Sequence, residues 1–207
     1  MKIVLFIIAL LFSTESCSFS SKNDSETASN IEQLNDENAV APNYSDTTFV
    51  VTPVENKNNC FILISKQELK LYVCEVINGD TIKRVQYPVC VGLNKGQKQR
   101  KGDKRTPECT VRNPFRISEI VDASNWHHDF GDGRGSILAY GNWFMRLVTP
   151  GFSGIGIHGS TNNESSVPGR GSEGCIRLRN NDLDELKSKY AFVGMNVVIE
   201  ADNTTKE

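Results

Sequence analysis

One stretch, Gly154–Asn180, constrains this chain more than any other. It opens with an alternating Gly/Ile run that ends in His158, and it closes with a turn that presents Cys175 before the alternating segment Ile176–Arg179. Such alternation indicates strands whose isoleucines face a core and whose glycines let other backbone approach closely. The stretch therefore predicts a β scaffold in which a strand end presents an imidazole and a tight turn presents a thiol.

His158 and Cys175 together can form a nucleophile pair. The thiolate is the reactive form of a cysteine, and a neighbouring imidazole can take the thiol proton and stabilise the charge. Each residue alone also has a structural interpretation, since a single Cys is often a small buried hydrophobe and a single His often only makes hydrogen bonds. Gly174 allows unusual dihedral angles, so we expect the amides of Gly174 and Cys175 to point at a developing oxyanion.

The joint pattern resembles the signature of the L,D-transpeptidase catalytic-domain family. It consists of a His-Gly pair, a Cys sixteen positions after that Gly, a Ser and a Gly in the turn before the Cys, and an Arg two positions after it. The flanking sequence is similar to the family over most of residues 59–201. The resemblance implies a mainly β domain, with a β-sandwich or barrel-like fold and one short C-terminal helix.

The resemblance also implies roles for the pair and for the glycine that follows His158. Cys175 matches the family's acylated nucleophile, and His158 matches its general base. Gly159 matches the position whose backbone carbonyl holds the other nitrogen of the imidazole. No cofactor or metal is implied, because the motif supplies nucleophile, base and oxyanion donors.

Four positions near the cysteine complete the expected site. Ser172 and Gly174 match the turn that shapes the oxyanion site, and Arg177 matches a position that helps to place the substrate. Many family members carry a second His directly before the Gly-Cys pair, where this chain has Glu173. That leaves His158 as the base, and an ionised Glu173 beside the thiolate would raise the pKa of Cys175.

The N-terminus predicts a secretory signal. Lys2 precedes an apolar run over residues 3–12, which is too short to span a bilayer comfortably. Ser16 before Cys17 is typical of a bacterial lipoprotein signal, so residues 1–16 are expected to be removed and Cys17 to be lipidated. The predicted location is the periplasm, with a lipid anchor to the membrane.

Residues 17–58 are predicted to be a disordered acidic linker. Between residues 18 and 58, two lysines stand against seven acidic side chains, and such a segment buries too little apolar surface to offset its ordering entropy. The catalytic domain is expected over residues 59–201, followed by a tail over 202–207. Residues 59–207 carry 20 basic and 17 acidic side chains, a near-neutral balance that gives no indication of nucleic-acid binding.

The predicted domain opens with strands and closes with a helix and a strand. Asn78-Gly79 is a strong hairpin signal between alternating segments, and Trp143–Val148 predicts a strand that leads into the central motif. A polar cap and acidic first turn at residues 181–185 predict the helix, and residues 195–200 the closing strand.

Two further segments predict loops. Residues 94–105 hold six basic side chains and one acid. We favour a solvated loop there, with binding of acidic wall polymers as the alternative. Residues 126–135 are predicted to be a long Gly-rich loop of the kind that often lines a site.

The family's reaction, carried over by resemblance, is acyl transfer on peptidoglycan stem peptides through a Cys thioester. An amine acceptor would cross-link or modify the wall, and water as acceptor would make the protein an L,D-carboxypeptidase. Two rival classes stay open. One is a catalytically silent peptidoglycan-binding lipoprotein, favoured only by Glu173. The other is a metal hydrolase using His158, His127 and His128, although adjacent histidines rarely bind one ion together.

Cysteine usage adds one structural expectation. An oxidising compartment permits disulfides among four cysteines, with three possible connectivities, and we predict at least one bridge while Cys175 stays free. The plain alternative is buried free thiols. The four residues are Cys60, Cys74, Cys90 and Cys109.

Overall fold

The protein is described by a computed structural model over residues 43–49 and 53–202, and it is mainly β with one short helix. Thirteen strands follow one another within these residues. They are β1 Asn43–Phe49, β2 Cys60–Ser65, β3 Lys70–Ile77, β4 Asp80–Pro88, β5 Cys90–Gly92, β6 Phe115–Asp122, β7 His127–Asp129, β8 Ser136–Leu138, β9 Trp143–Val148, β10 Gly156–His158, β11 Gly169–Ser172, β12 Ile176–Arg177 and β13 Asn196–Ile199.

Eleven of these strands form one mixed sheet, in the order β1-β4-β3-β2-β13-β6-β9-β10-β12-β5-β11. Strands β2, β3 and β4 form an antiparallel meander, whereas β13 joins β2 in parallel and β6 in antiparallel pairing. The closing strand thus lies at the centre of the sheet, between the first half of the domain and the half that carries the His158 and Cys175 motif.

The hairpin predicted at Asn78-Gly79 is confirmed. Both residues have positive φ, 53° and 91°, and they connect β3 to β4. A two-residue turn with positive φ at both positions matches the right-handed twist of the flanking strands, and Asn and Gly tolerate that conformation best.

A single main core holds the sheet together. It takes buried side chains from strands along most of the sheet, including Ile62 of β2, Met145 of β9 and Ile176 of β12, each fully buried. One cluster reached by so many strands shows that the sheet wraps around a common core. A smaller cluster on the other face of β2 and β3 contains Phe61, Leu63, Tyr72, Cys74 and Val198.

The helix packs on this core where the sequence predicted it. Helix α1, Asn180–Glu185, continues as a π-helical turn over Leu186–Tyr190. Leu183 and Leu186 are fully buried in the main core. Among the described residues, no helix is long and apolar enough to cross a membrane.

The sequence predicted a loop over the whole Gly-rich segment 126–135, but part of this segment forms a strand. Strand β7 pairs with β8 in a separate two-stranded sheet, with His127 opposite Leu138 and Asp129 opposite Ser136. The polar, Gly-rich composition favoured a loop prediction for the whole segment. In the structure, the segment's glycines, which have positive φ, lie only in the turn that joins the two strands.

The structure describes little of the predicted N-terminal regions. Residues 1–42, with the expected signal and Cys17, lie outside the described residues, as does the tail from residue 203. Within the predicted linker 17–58, strand β1 pairs in parallel with β4, so residues 43–49 differ from the expected disorder. The edge of β4 offers unpaired backbone groups, which an extended segment can satisfy.

The predicted disulfide is not found, since all four candidate cysteines are free in this structure. Cys60 belongs to the main core and Cys74 to the smaller cluster, so strand alternation points their side chains to opposite faces of the sheet. Cys109 instead accepts a hydrogen bond from the Ile199 amide, with its sulfur 3.3 Å from that nitrogen.

Candidate active site

Strands β10 and β12 bring the motif's two halves together. They pair in parallel, with Ile157 opposite Ile176 and His158 opposite Arg177. Both isoleucines are fully buried in the main core, so alternation directs His158 and Arg177 to the other face. Cys175 directly precedes β12, and all three side chains line one cavity of about 530 Å³.

The His158 ring is held by its backbone and by aromatic neighbours. Its Nδ1 lies 2.7 Å from the carbonyl oxygen of Gly159. A carbonyl only accepts, so Nδ1 carries the proton and Nε2 keeps its lone pair. The Phe144 ring stacks on the imidazole at 5.6 Å between centroids, and Tyr140 lies at 4.8 Å. A Cβ at residue 156 would overlap the Phe144 ring, so Gly156 makes this stacking possible.

The imidazole is neutral at neutral pH. Burial, together with the positive charge of Arg177, lowers the pKa of His158 to about 3, although the hydrogen bond to Gly159 acts in the other direction. A neutral ring with Nε2 unprotonated can accept a proton, which is the state that a general base requires.

Asn180 fixes the turn that follows His158, a role that sequence reasoning missed. Its Oδ1 accepts the amide of Ser160 at 3.0 Å, and its Nδ2 donates to Thr161 Oγ1 at 3.0 Å. A Cβ on Gly159 would overlap Asn180 Oδ1 and the Gly141 backbone, so this contact requires glycine at 159. The position of Asn180 at the end of the motif was the available signal.

The turn before Cys175 is held by Ser172. The Ser172 hydroxyl donates to the Cys175 carbonyl at 2.6 Å and accepts the Gly174 amide at 3.1 Å. Gly174 has φ of 135°, and a Cβ there would lie 2.9 Å from the Arg105 carbonyl oxygen. The sequence suggested that the Gly174 amide is free to bind an oxyanion, but in the structure this amide donates to Ser172. Of the two amides predicted as oxyanion donors, the Cys175 amide is the one that remains.

The Cys175 thiol is protonated at rest. Burial raises its pKa above the ordinary value, while the Gly156 amide and the charges of Arg177 and Lys98 lower it, and Glu173 raises it. The sulfur lies 3.4 Å from the Gly154 carbonyl oxygen, to which the thiol donates. The site therefore holds a neutral thiol and a neutral imidazole in one cavity.

Arg177 is a buried cation with spare hydrogen-bonding capacity. Only 5% of the residue is exposed, and its Nε has no hydrogen-bond partner among the described residues. Its guanidinium lies over the Phe130 ring, 5.0 Å from the centroid. A planar cation that lines a cavity with an unsatisfied donor is suited to bind an anionic or carbonyl oxygen.

Glu173 contacts the hairpin formed by β7 and β8. Its Oε2 lies 3.2 Å from Nε2 of His128, which also lines the cavity. His127 instead faces the Asn125 carbonyl, with Nδ1 at 3.0 Å. Among the described residues, no three His, Cys, Asp or Glu side chains are grouped as metal ligands.

Lys98 was missed as a site residue because it lies in a basic run that reads as solvent-exposed. In the structure it is buried, with its ammonium 2.7 Å from Asp103 Oδ1, and it lines the cavity. Its charge favours the thiolate of Cys175.

Comparison with known proteins gives one family match and several fold matches. The L,D-transpeptidase catalytic domain model matches residues 60–199. No curated protein matches the chain. Among solved structures, Bd1075 of Bdellovibrio bacteriovorus is 23% identical with a TM-score of 0.48, over 73% of this chain and 51% of that one.

Two further solved structures are similar to this chain. The helical cell shape determining protein Pgp2 of Campylobacter jejuni is 22% identical with a TM-score of 0.47, over 70% of this chain and 48% of that one. An L,D-transpeptidase of Mycobacterium smegmatis is 16% identical with a TM-score of 0.45, over 69% and 59%. This chain thus spans about half to three fifths of the length of these structures.

Proposed function

We propose, from the premise that this chain belongs to the L,D-transpeptidase catalytic domain family, that it acts on peptidoglycan stem peptides as a cysteine-dependent acyltransferase. One observation carries the proposal: Cys175 shares a cavity with a neutral His158 whose Nδ1 is committed to Gly159. Nucleophile, base and orienting group are the three parts that covalent acyl transfer needs.

In the first half-reaction, Cys175 attacks the carbonyl of the third, L-centred residue of a tetrapeptide stem. The Nε2 of His158 accepts the thiol proton as the C–S bond forms. The developing oxyanion is stabilised by the Cys175 amide, because that donor lies in the turn that holds the nucleophile. The C–N bond then breaks, His158 returns the proton to the leaving nitrogen, and the terminal D-amino acid departs.

Arg177 and Lys98 offset part of the cost of forming a thiolate in this cavity. Both charges lower the pKa of Cys175, against the dominant effect of burial. Because the resting thiol and imidazole are both neutral, proton transfer is expected to accompany attack on the substrate rather than to precede it. Arg177 also has an unsatisfied donor that can hold a substrate oxygen.

In the second half-reaction, an acceptor attacks the thioester and releases the thiol. A side-chain amine of a diamino acid on a neighbouring stem gives a cross-link, and its lost proton returns to Cys175 through His158. Water gives a shortened stem, which is the L,D-carboxypeptidase alternative. Both acceptors use the same acyl-enzyme, so the first half-reaction tests the proposal for either.

The test is intact-mass analysis of the full chain incubated with defined tetrapeptide stems. The protein should gain the mass of the acyl tripeptide, and Cys175→Ala should gain none. Cys109→Ala is the matched control, because this thiol lies outside the cavity and should leave acylation intact. Binding without any acylation would instead favour the silent peptidoglycan-binding alternative.

Action on peptidoglycan places the proposed activity outside the cytoplasmic membrane. We further propose the lipoprotein arrangement that the N-terminal sequence predicts, with Cys17 lipidated and the part of the predicted linker that precedes β1 as the tether. Mass spectrometry of the membrane-extracted protein should find a lipid-modified Cys17 at the mature N-terminus. A soluble product with an unmodified N-terminus would contradict this arrangement.

A further inference from the structure

The basic segment that the sequence suggested to be a solvated loop lines the cavity of Cys175. Lys98, Arg100, Lys101 and Lys104 all contribute to its lining. The first is buried, and the other three are exposed; Arg100, Lys101 and Lys104 are called the basic rim below. The loop therefore presents its cations to whatever occupies the cavity.

The acid of this loop does not neutralise the basic rim. Asp103 accepts the Lys98 ammonium at 2.7 Å and also the amides of Gln99, Arg100 and Arg105. Burial alone would raise the pKa of Asp103, but Lys98 and these amides hold it well below the usual range. No side chain of the basic rim forms an ion pair with a described residue.

The rest of the cavity adds little negative charge. Glu173 is the acidic residue in its described lining, and it faces His128. Arg177 adds a further cation with an unsatisfied Nε. A cavity whose charged side chains are mostly cations is complementary to an anionic ligand, and complementarity of this kind sets specificity.

The loop is also anchored, so the rim does not have to be ordered by its ligand. The buried ammonium of Lys66 bridges Glu108 and Asp202, at 2.5 and 3.1 Å. Asp202 also accepts the amide of Gly96 at 2.7 Å. These bonds tie both ends of the loop to the end of β13, and a preorganised site loses less free energy on binding.

We propose that the basic rim recognises a free carboxylate of the stem peptide, outside the amide that reacts with Cys175. The enzyme would then prefer stems whose carboxylates are free over stems in which one of them is a carboxamide. This inference rests on the proposed function and specifies its substrate class. Arg100, Lys101 and Lys104 are specificity-determining residues, whereas Cys175 and His158 carry the chemistry.

The test uses pairs of synthetic stems. The two stems of a pair differ at one internal carboxylate, which is replaced by a carboxamide in one of them, and each internal carboxylate is tested in its own pair. For at least one of these pairs, kcat/KM for acylation of the full chain should be about tenfold higher with the carboxylate stem than with its carboxamide partner, since three exposed charges each contribute roughly twofold. Replacing Arg100, Lys101 and Lys104 by Gln should bring that ratio close to one. About 1 M salt, where the Debye length is about 3 Å, should also reduce the ratio.

A matched control removes three positive charges away from the cavity. Lys95→Gln, Arg112→Gln and Arg116→Gln together alter exposed side chains that do not line it, and this variant should keep the preference. Equal rates on both stems by the unmodified chain would overturn the inference while leaving the proposed function intact. A preference that persists in the rim variant would also overturn it.

Binding of the same stems to Cys175→Ala, measured by calorimetry, separates the two proposals. A carboxylate preference in binding, with no acylation of the unmodified chain by any stem, would sustain the rim assignment and reject the acyltransferase function. Equal affinity for both stems would reject the rim assignment.

Discussion

At the scale of single residues, the site combines two neutral groups whose charged forms are both disfavoured by burial. His158 has a pKa lowered to about 3, and the pKa of Cys175 is raised above its ordinary value. Arg177 favours the thiolate but opposes the imidazolium, so it does not simply promote an ion pair. Under the proposed mechanism, the thiol proton therefore moves to His158 during attack on the substrate.

Glu173→Gln should lower the pKa of Cys175, because the carboxylate is one of the groups that raise it. Alkylation of the thiol at neutral pH should become faster, by about threefold at most, the size expected of one half-exposed charge. The pH profile of iodoacetamide labelling gives the measurement. Glu119→Gln is the control, since that carboxylate pairs with Arg146 and does not line the cavity. Slower labelling of Glu173→Gln would contradict the assigned sign.

His158→Ala should leave a thiol that reacts slowly with stems and whose rate keeps rising with pH. Without the base, reaction depends on spontaneous ionisation, and an unassisted Cys has a pKa of about 8.5 before burial raises it further. General acid–base assistance typically contributes about 10²–10⁴-fold, so a loss of that order is expected near neutral pH. Single-turnover acylation across pH checks this.

The matched control for that experiment is His127→Ala, which removes an exposed imidazole that does not line the cavity. It should acylate normally. If His158→Ala kept full activity at neutral pH, the assignment of the base would be wrong.

At the scale of elements, the cavity depends on the anchor of the basic loop. Lys66 is 1% exposed, and its charge is balanced by Glu108 and Asp202 together with the carbonyls of Gly96 and Thr106. The anchor joins Lys66, just after β2, to Asp202, which follows β13 at the end of the described chain. The position of the loop therefore depends on where β13 lies in the sheet.

Asp202→Asn should destabilise the fold by roughly 3 kcal/mol, since it leaves the buried Lys66 short of a counter-charge. Urea unfolding gives the free energy of unfolding. Asp80→Asn, at an exposed position at the start of β4, should change it by less than about 0.5 kcal/mol. The loop amides, Gly96 among them, should also exchange hydrogen faster in Asp202→Asn. Equal stability of the two variants would contradict a stabilising role for the contact between Lys66 and Asp202.

At the scale of the whole molecule, buried carboxylates link stability to pH. Burial raises the pKa of Glu75, Asp103 and Asp202, but amide and cationic donors outweigh it, so that each pKa is lowered on folding. Glu75, for example, accepts the Asn56 amide at 2.5 Å and Arg84 Nε at 2.9 Å. A carboxyl whose pKa is lower when folded stabilises the protein above its unfolded pKa and loses that contribution as pH falls.

The free energy of unfolding should fall below about pH 6.5, where His158 takes up a proton only in the unfolded chain, and more steeply below about pH 4, where unfolded carboxyls also take up protons. Each such group contributes a slope of up to about 1.4 kcal/mol per pH unit. Denaturant unfolding at several pH values measures it, and Glu75→Gln should show a shallower acid slope than the unmodified chain. Stability that rose on acidification would have the wrong sign.

Features that depend on neighbouring residues could be predicted from the sequence. The Asn78-Gly79 hairpin follows from local dihedral preference, the strand at Trp143–Val148 from alternation, and the helix that starts at Asn180 from its acidic first turn. The polar cap predicted for that helix is not formed, because its N-cap is Arg179 and no side chain caps it. The family resemblance likewise rests on local spacing around His158 and Cys175. Short-range geometry determines these features, so a single sequence carries them.

Tertiary structure alone decided what surrounds the thiol. Lys98 and the basic rim reach the cavity from a loop whose Gly96 is held by Asp202, the partner of Lys66. The contact of Glu173 with His128 joins residues 45 positions apart, and that of Asn180 with Ser160 spans 20. Loops that meet in this way carry no periodic or spacing signal, because their contacts are set by packing of the strands beneath them. The register of β2 against β3 was also decided by tertiary structure, and it places Cys60 and Cys74 on opposite faces of the sheet.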